Sequence, residues 1–287
     1  MAVAYQTIAT QTVAYDTATA ITINKPSGLA VGDLMIMIVG YGDPSMPTPS
    51  TPSGWTQILS TVQGSAGLIS YRKTADSGDV AASNFTLSFT GGTGNIRFIQ
   101  GVIIRIDGQA PGSEIGASEG DISTSTSTTI NYTLASTPVI ANSLVIVAFA
   151  GNDGSLAGTP TVTSYTLTPS VTMTERADLG IFSSPIGQWF GVATGSYSGT
   201  SQFTQSSIVV NEAPDDDQVH QFIIVTPQQN VTADISHISI TPTIEGITAS
   251  QVNVATDVSH IAITPTINGV ETFNTSDGTI WTTTTKS

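Results

Sequence analysis

The 287-residue chain contains no cysteine. Disulfides, a thiolate nucleophile and thiolate-ligated zinc or iron–sulfur centres are therefore excluded, and with them redox chemistry by the chain's own side chains. Charge is scarce too, at 10% Asp, Glu, Lys and Arg, against about 25% in an average globular protein. Solubility must rest on the many Thr, Ser and Gly residues. Only 7 of the charges are Lys or Arg against 21 Asp or Glu, for a net charge of −14. That balance argues against nucleic acid and anionic membranes as partners, since nothing would attract them at long range. No apolar run reaches the roughly 18 residues of a membrane span, and residues 1–20 show neither the basic nor the apolar region of a signal peptide. The expectation is a chain made in a cytoplasm and not inserted in a membrane. Helical apolar spacing with caps is missing from every stretch of ten or more residues.

What the chain does have is strands. Leu34 to Tyr41 (LMIMIVGY) is uncharged, enters through Gly32-Asp33 and leaves through Gly42-Asp43-Pro44. It is too short to span a membrane and reads as a central strand buried on both faces. Leu144 to Ala150 (LVIVAFA), set between Asn142-Ser143 and Gly151-Asn152-Asp153-Gly154, carries the same signal. The pair predicts two sheets or two halves built around matched core strands. Around them, residues 3–13 and 20–24 read as opening strands. Residues 42–54, with Pro44, Pro47, Pro49 and Pro52, read as a surface loop closing on Trp55. Residues 55–59 and 68–73 pair across a turn at 64–67, and Phe85, Leu87 and Phe89 alternate onto one face. Residues 97–106 form another core strand, 108–120 a Gly/Pro/acidic crossing, and 122–134 a Thr/Ser strand suited to an edge. Strands at 165–168, 173–178, 188–193, 203–210 and 219–225 complete the set, with Asp215-Asp216-Asp217 as a tight turn.

The predicted fold class is all-β: a two-sheet antiparallel β-sandwich, jelly-roll-like, over residues 1–227, with its opening strands in 1–24, followed by a β-rich arm at 228–287. In that arm Asn230 to Ala249 (NVTADISHISITPTIEGITA) recurs at Asn253 to Thr272 (NVATDVSHIAITPTINGVET), a period of 23 residues. One such unit cannot bury a core alone, so the arm is expected to be completed by stacking or by other copies of the chain. Its assembly contacts would come from Ile238, Ile240 and Ile244 and their counterparts Ile261, Ile263 and Ile267.

The segments KPSGLAVGDL at 25–34, PSGWT at 52–56, YRK at 71–73 and MTERAD at 173–178, together with the order of parts, give the chain a family likeness. Over about residues 15–227 it resembles a β-sandwich family of tail and particle proteins of tailed bacteriophages and related bacterial sequences. That resemblance implies a non-enzymatic structural component of a virion, as head decoration or fibre, or as tail fibre or tip. Its partners would be other virion proteins and copies of itself, a trimer being one stoichiometry, with a host glycan as a further candidate. It carries no catalytic signature and implies no cofactor. Residues 152–164 and 215–217 depart from the family pattern. A stand-alone carbohydrate-binding module or adhesin, and a glycan depolymerase, are the competing classes.

Several residues admit both a ligand role and a plain structural one. His237 and His260 share one repeat position and would ring an axis in a symmetric oligomer, as metal ligands or a pH switch; standing alone, each is more simply an interface histidine. Asp215, Asp216 and Asp217 offer carboxylates for Ca2+ but lack the alternating ligand loop, and a solvated acidic turn is the simpler reading. Tyr41, Trp55, Tyr71, Tyr165 and Trp189, with Asn152 and Asp153, are the residue types of a sugar-stacking site, against ordinary core packing. Glu175 and Asp178 would serve a glycosidase as a carboxylate pair, but three residues apart on a regular strand they point to opposite faces. Gly91-Gly92-Thr93-Gly94 lacks the lysine and helix of a phosphate loop, and no G-x-S-x-G elbow exists to support a hydrolase triad.

Overall fold

The computed structural model describes residues 3–14, 19–42, 46–91, 98–109, 112, 114–123, 127–137, 142–155, 158–183, 186–199, 201–224, 272–274 and 280–282. The chain divides into two compact units, Met1–Gln228 and Gln229–Ser287. Among the described residues almost every element is a β-strand, and every strand pairing is antiparallel. No helix among the described residues is long and apolar enough to cross a membrane.

The first unit is built twice over. Its first half runs β1 (Ala4–Ala14), β2 (Ala20–Asn24), β3 (Leu34–Gly42), β4 (Thr48–Ser50), β5 (Thr56–Gln63), β6 (Ala66–Thr74), a short helix α1 (Ser77–Ala81), β7 (Asn84–Thr90) and β8 (Phe98–Asp107). Its second half runs β9 (Ile115–Ser123), β10 (Thr129–Thr137), β11 (Ser143–Asp153), β12 (Val162–Thr168), β13 (Thr174–Asp178), β14 (Ile181–Ser183), β15 (Ile186–Tyr197), β16 (Phe203–Val210) and β17 (Asp216–Ile224). The first half makes a large sheet, β1-β8-β3-β6-β5, and a small one, β2-β7-β4. The second makes β9-β17-β11-β15-β13 and β10-β16-β12, with β14 added beside β15. Leaving β14 aside, the two strand orders are the same.

Three buried clusters join these four sheets. Leu34, Ile36 and Ile38 of β3 meet Ile146, Ala148 and Phe190 of the second large sheet, closing a core between the halves. The alternate residues of β3, Met35, Met37, Val39 and Tyr41, face Ile21, Ile23, Leu87 and Phe89 of the first small sheet. In the second half Val145, Val147 and Phe149 of β11 face Ile130, Tyr132, Leu167 and Ile208 of the second small sheet. This explains the two uncharged runs: β3 and β11 each have a core on both sides, so alternation of polar and apolar residues would bury polar groups. At roughly 1.5–3 kcal/mol per fully buried aliphatic side chain, the central cluster binds the halves into one body.

The unit thus holds four sheets where a two-sheet body was expected, because each half adds a small sheet to its large one; the alternative expectation, two halves built around matched core strands, agrees with the placement of β3 and β11 in different large sheets. Two local assignments also change. The expected crossing at 108–120 contains β9, and the expected strand at 122–134 is split between the end of β9 and β10. The second unit contains a small hairpin, β18 (Thr272–Asn274) paired with β19 (Ile280–Thr282). The duplicated segment at 230–249 and 253–272 otherwise lies outside the described residues, as do His237, His260, Ile238, Ile240, Ile244, Ile261, Ile263 and Ile267.

Candidate functional site

Glu175 and Asp178 share one face of β13. The register with β15 shifts between Glu175, opposite Ala193, and Ala177, opposite Val192. Arg176 is the extra residue of a β-bulge, and one extra residue reverses the alternation of everything after it. The consequences agree with this. Ala177 joins the core between the halves. Arg176 donates from Nε to Thr194 Oγ1 at 2.8 Å and stacks its guanidinium 3.9 Å from the ring centre of Tyr5 in β1. Glu175 and Asp178 turn the other way, towards β12. A regular strand would set them on opposite faces, as expected from their spacing; the bulge overturns that expectation and puts them on one.

Asp178 lies opposite Gly191, and a Cβ at Gly191 would fall 2.0 Å from the hydroxyl of Tyr165. Glycine is therefore required there so that the Tyr165 hydroxyl can lie over the strand beside Asp178. One Asp178 oxygen, Oδ2, accepts from the Val162 amide at 3.2 Å. The other, Oδ1, is buried without a partner, and so is the Tyr165 hydroxyl. Burial is the main cause lifting the Asp178 carboxyl to about 6, helped by the charge of Glu175 and opposed by the Val162 amide. Burial likewise pushes the Tyr165 hydroxyl well up, with the charges of Glu175 and Asp178 adding to it. Carried side by side on one strand, the carboxylates form an anionic recess; they do not flank a bond from two walls as a glycosidase pair does.

The sugar-stacking candidates fare differently. Tyr41 is 1% exposed, Trp55 7% and Tyr165 8%, with Tyr71 and Trp189 at 0%. Tyr41 tilts against Phe89 at 5.1 Å between ring centres and Trp55 meets Phe85 edge-on at 5.6 Å. These rings are core, and none offers a face to a ligand. Asp153 is buried and caps Ser155, accepting from its amide at 2.6 Å. Asn152 donates to Ser65 Oγ at 2.6 Å, and Asp216 accepts from the Ser65 amide at 3.1 Å. Asn152 and Asp216 are cross-strand partners, so both residues clamp the β5–β6 turn onto the second half. The acidic run is accordingly not one solvated turn. Asp215 is exposed, whereas Asp217 is fully buried and accepts from the Tyr132 hydroxyl. No group of three or more His, Cys, Asp or Glu at metal-holding distance occurs among the described residues.

Sequence reasoning missed a second polar arrangement. His220 of β17 is fully buried, with Nδ1 2.7 Å from Ser70 Oγ and Nε2 3.0 Å from Thr61 Oγ1. Burial pushes its imidazole down to about 3. A hydroxyl against an imidazole is the start of a nucleophilic site, yet Ser70 and His220 are both 0% exposed and no substrate can reach them. Their role is to tie β17 to β6 and β5. A histidine inside an otherwise largely apolar strand, between Val219 and Gln221 in VHQFIIV, is the sequence signal that points to it.

At the other end of the first half, a polar cavity of about 450 Å3 opens beside Arg72, Lys73, Thr74 and Glu114. Its charges are matched: Arg72 pairs with Glu114, and Lys73 Nζ lies 2.6 Å from Asp79 Oδ1. Burial opposes the Glu114 carboxylate, but the amides of Glu114 and Gly112, with Thr74 and Arg72, hold it below the usual range. Nearby, Arg105 Nε donates to Asp33 at 2.6 Å. These pairs brace the turns that precede β3 and follow β6. No family model, curated protein or solved structure matches the chain.

Proposed function

We propose that the protein is a non-enzymatic structural component of a phage-like virion, displayed at the surface of head or tail and assembled through its C-terminal segment. The first unit is, in this reading, a tandem of two jelly-roll-like β-sandwiches packed through their large sheets. The observation that carries the proposal is the doubled eight-strand order with one continuous core between the halves. Such a body is a stiff spacer, with side chains committed to packing and the ion pairs used to pin turns. The resemblance to tailed-phage particle proteins over residues 25–34, 52–56, 71–73 and 173–178 supplies the context, and the 23-residue duplication supplies a segment for contacts with neighbouring subunits.

The burial of Tyr41, Trp55 and Tyr165 removes the stacking faces on which a sugar-binding reading leaned. The net charge of −14 speaks against a role inside a nucleic-acid-filled shell. Gold-labelled antibody against the protein, imaged on particles from the source lysate, tests the proposal. Label on heads or on tails supports it and says which; abundant protein in the lysate with unlabelled particles overturns it.

A further inference from the structure

We propose that Glu175, Asp178 and Tyr165 form a binding site for a hard divalent cation of the calcium type, where β12 meets the bulged β13. The inference is independent of the virion role. The β15 partners of Glu175 and Asp178, Ala193 and Gly191, are two residues apart, so the two backbones stand about 7 Å apart at 3.3–3.4 Å per residue. Side chains of that length on one face converge easily on a single ion. Glu175 is exposed and gives the recess its opening to solvent.

The recess has three features that ask for an occupant. Asp178 Oδ1 is buried and unpartnered. The Tyr165 hydroxyl, on a residue 8% exposed, is aimed at the same place over Gly191 and also lacks a partner. And Arg176, the basic residue that lies between them in the chain, has been sent by the bulge to the opposite face, onto Tyr5 and Thr194. Neither carboxylate is in an ion pair among the described residues. A trapped water would satisfy the hydrogen bonds but leave two like charges together in a partly buried place. A cation answers both needs at once.

The donor set narrows its identity. All protein donors are oxygens, two of them carboxylates. Zinc favours imidazole or thiolate, which the site lacks, and magnesium demands a near-ideal octahedron that a bulged strand edge does not prepare. Calcium accepts irregular oxygen shells completed by water.

The test uses the full-length chain, stripped with chelator and titrated with CaCl2 by calorimetry, with terbium luminescence as a second readout. One site is expected, with a dissociation constant on the order of 10⁻⁴–10⁻³ M, the range of weak, water-completed sites. Glu175→Gln and Asp178→Asn should each weaken it by about tenfold or more. Tyr165→Phe should lower the tyrosine-sensitised terbium emission. Asp215→Asn, in the exposed part of the acidic run, should leave binding unchanged. Because Glu175 is exposed, its variant folds even where the Asp178 variant does not. No heat and no terbium emission up to about 10 mM Ca2+ would overturn the proposal. So would binding that survives both carboxylate changes, which would move the ion elsewhere.

Discussion

The imidazole of His220 holds the hydroxyl of Ser70 at 2.7 Å across the core that joins the two halves of the body. Thr61 of β5 takes the second ring nitrogen at 3.0 Å, and Gly120 of β9 leaves room for the ring, since a Cβ there would stand 3.1 Å from His220 Cδ2. The hydroxyls match a neutral ring, one as donor and one as acceptor.

A pH dependence follows. In the folded chain the His220 imidazole titrates at about 3, against 6.5 for the free side chain. Between those values the unfolded chain binds a proton that the folded chain refuses. The contribution of His220 to stability is therefore full above about pH 6.5 and is lost as pH falls towards 3, at about 1.4 kcal/mol per pH unit. Urea denaturation at pH 7 and pH 5 should show a loss in the wild type that is smaller in His220→Gln. Equal pH sensitivity in both proteins would show that the ring is not the titrating group.

Tyr132 and Asp217 make a second buried tie, this one between β10 and β17. Burial, with the adjacent charge of Asp217, raises the Tyr132 hydroxyl far above its ordinary range, so it stays a donor at any physiological pH. Tyr132→Phe removes a hydrogen bond to a buried carboxylate and should cost about 1.5–3 kcal/mol in urea denaturation. Asp215→Asn, two residues away but exposed, should change stability by less than about 0.5 kcal/mol. A cost for the Asp215 variant as large as that of the Tyr132 variant would mean that the acidic run acts as one unit.

Much of this fold was legible in the residues, and what escaped has a common cause. The uncharged runs of β3 and β11 announced strands with a core on each side, because only that environment excludes charge from both faces. The duplicated strand order was hidden, since the matched strands fill their cores with different shapes: Met35, Met37 and Tyr41 in one half, Val145, Val147 and Phe149 in the other. The bulge at Arg176 was invisible to a period-2 reading, in which a single added residue leaves no mark, and it decided which way Glu175 and Asp178 face. Strand β9 lies in a glycine-rich acidic stretch that reads as a crossing. Its Gly120 is set by the His220 ring packed on it, a tertiary demand. Tyr41, Trp55 and Tyr165 have the residue types of a sugar platform and of a core alike, and only their neighbours distinguish the two.

The seam between the halves also depends on a glycine. At Gly40 of β3 a Cβ would stand 2.7 Å from Phe190 Cδ2 and 3.3 Å from Ala150 Cβ, both on the opposing large sheet. Gly40→Ala therefore forces the sheets apart or the phenyl ring off its rotamer, and should cost about 1–3 kcal/mol. Gly32→Ala meets no atom within 4 Å, but the backbone there has φ +94°; its smaller penalty should come from strain alone, about 1–2 kcal/mol. Thermal melts of the two variants separate crowding from strain. If Phe190→Leu restores the Gly40→Ala protein towards the wild type while leaving Gly32→Ala unchanged, the contact across the seam is the cause.

The final prediction concerns the division of labour between the two units. Residues Met1–Gln228 form a compact unit whose strands and core clusters are complete within it. Removing residues 232–287 should therefore leave its melting temperature within a few degrees of the full chain. The same truncation should abolish self-association and incorporation into particles, since the duplicated segment is the part whose repeats cannot bury a core alone. Sedimentation of the purified truncated chain reads the first loss, and antibody labelling of particles the second. Normal incorporation without residues 232–287 would place the assembly contacts on the β-body instead, and the edge strands of its large sheets, β1, β5, β9 and β13, would become the surfaces to mutate.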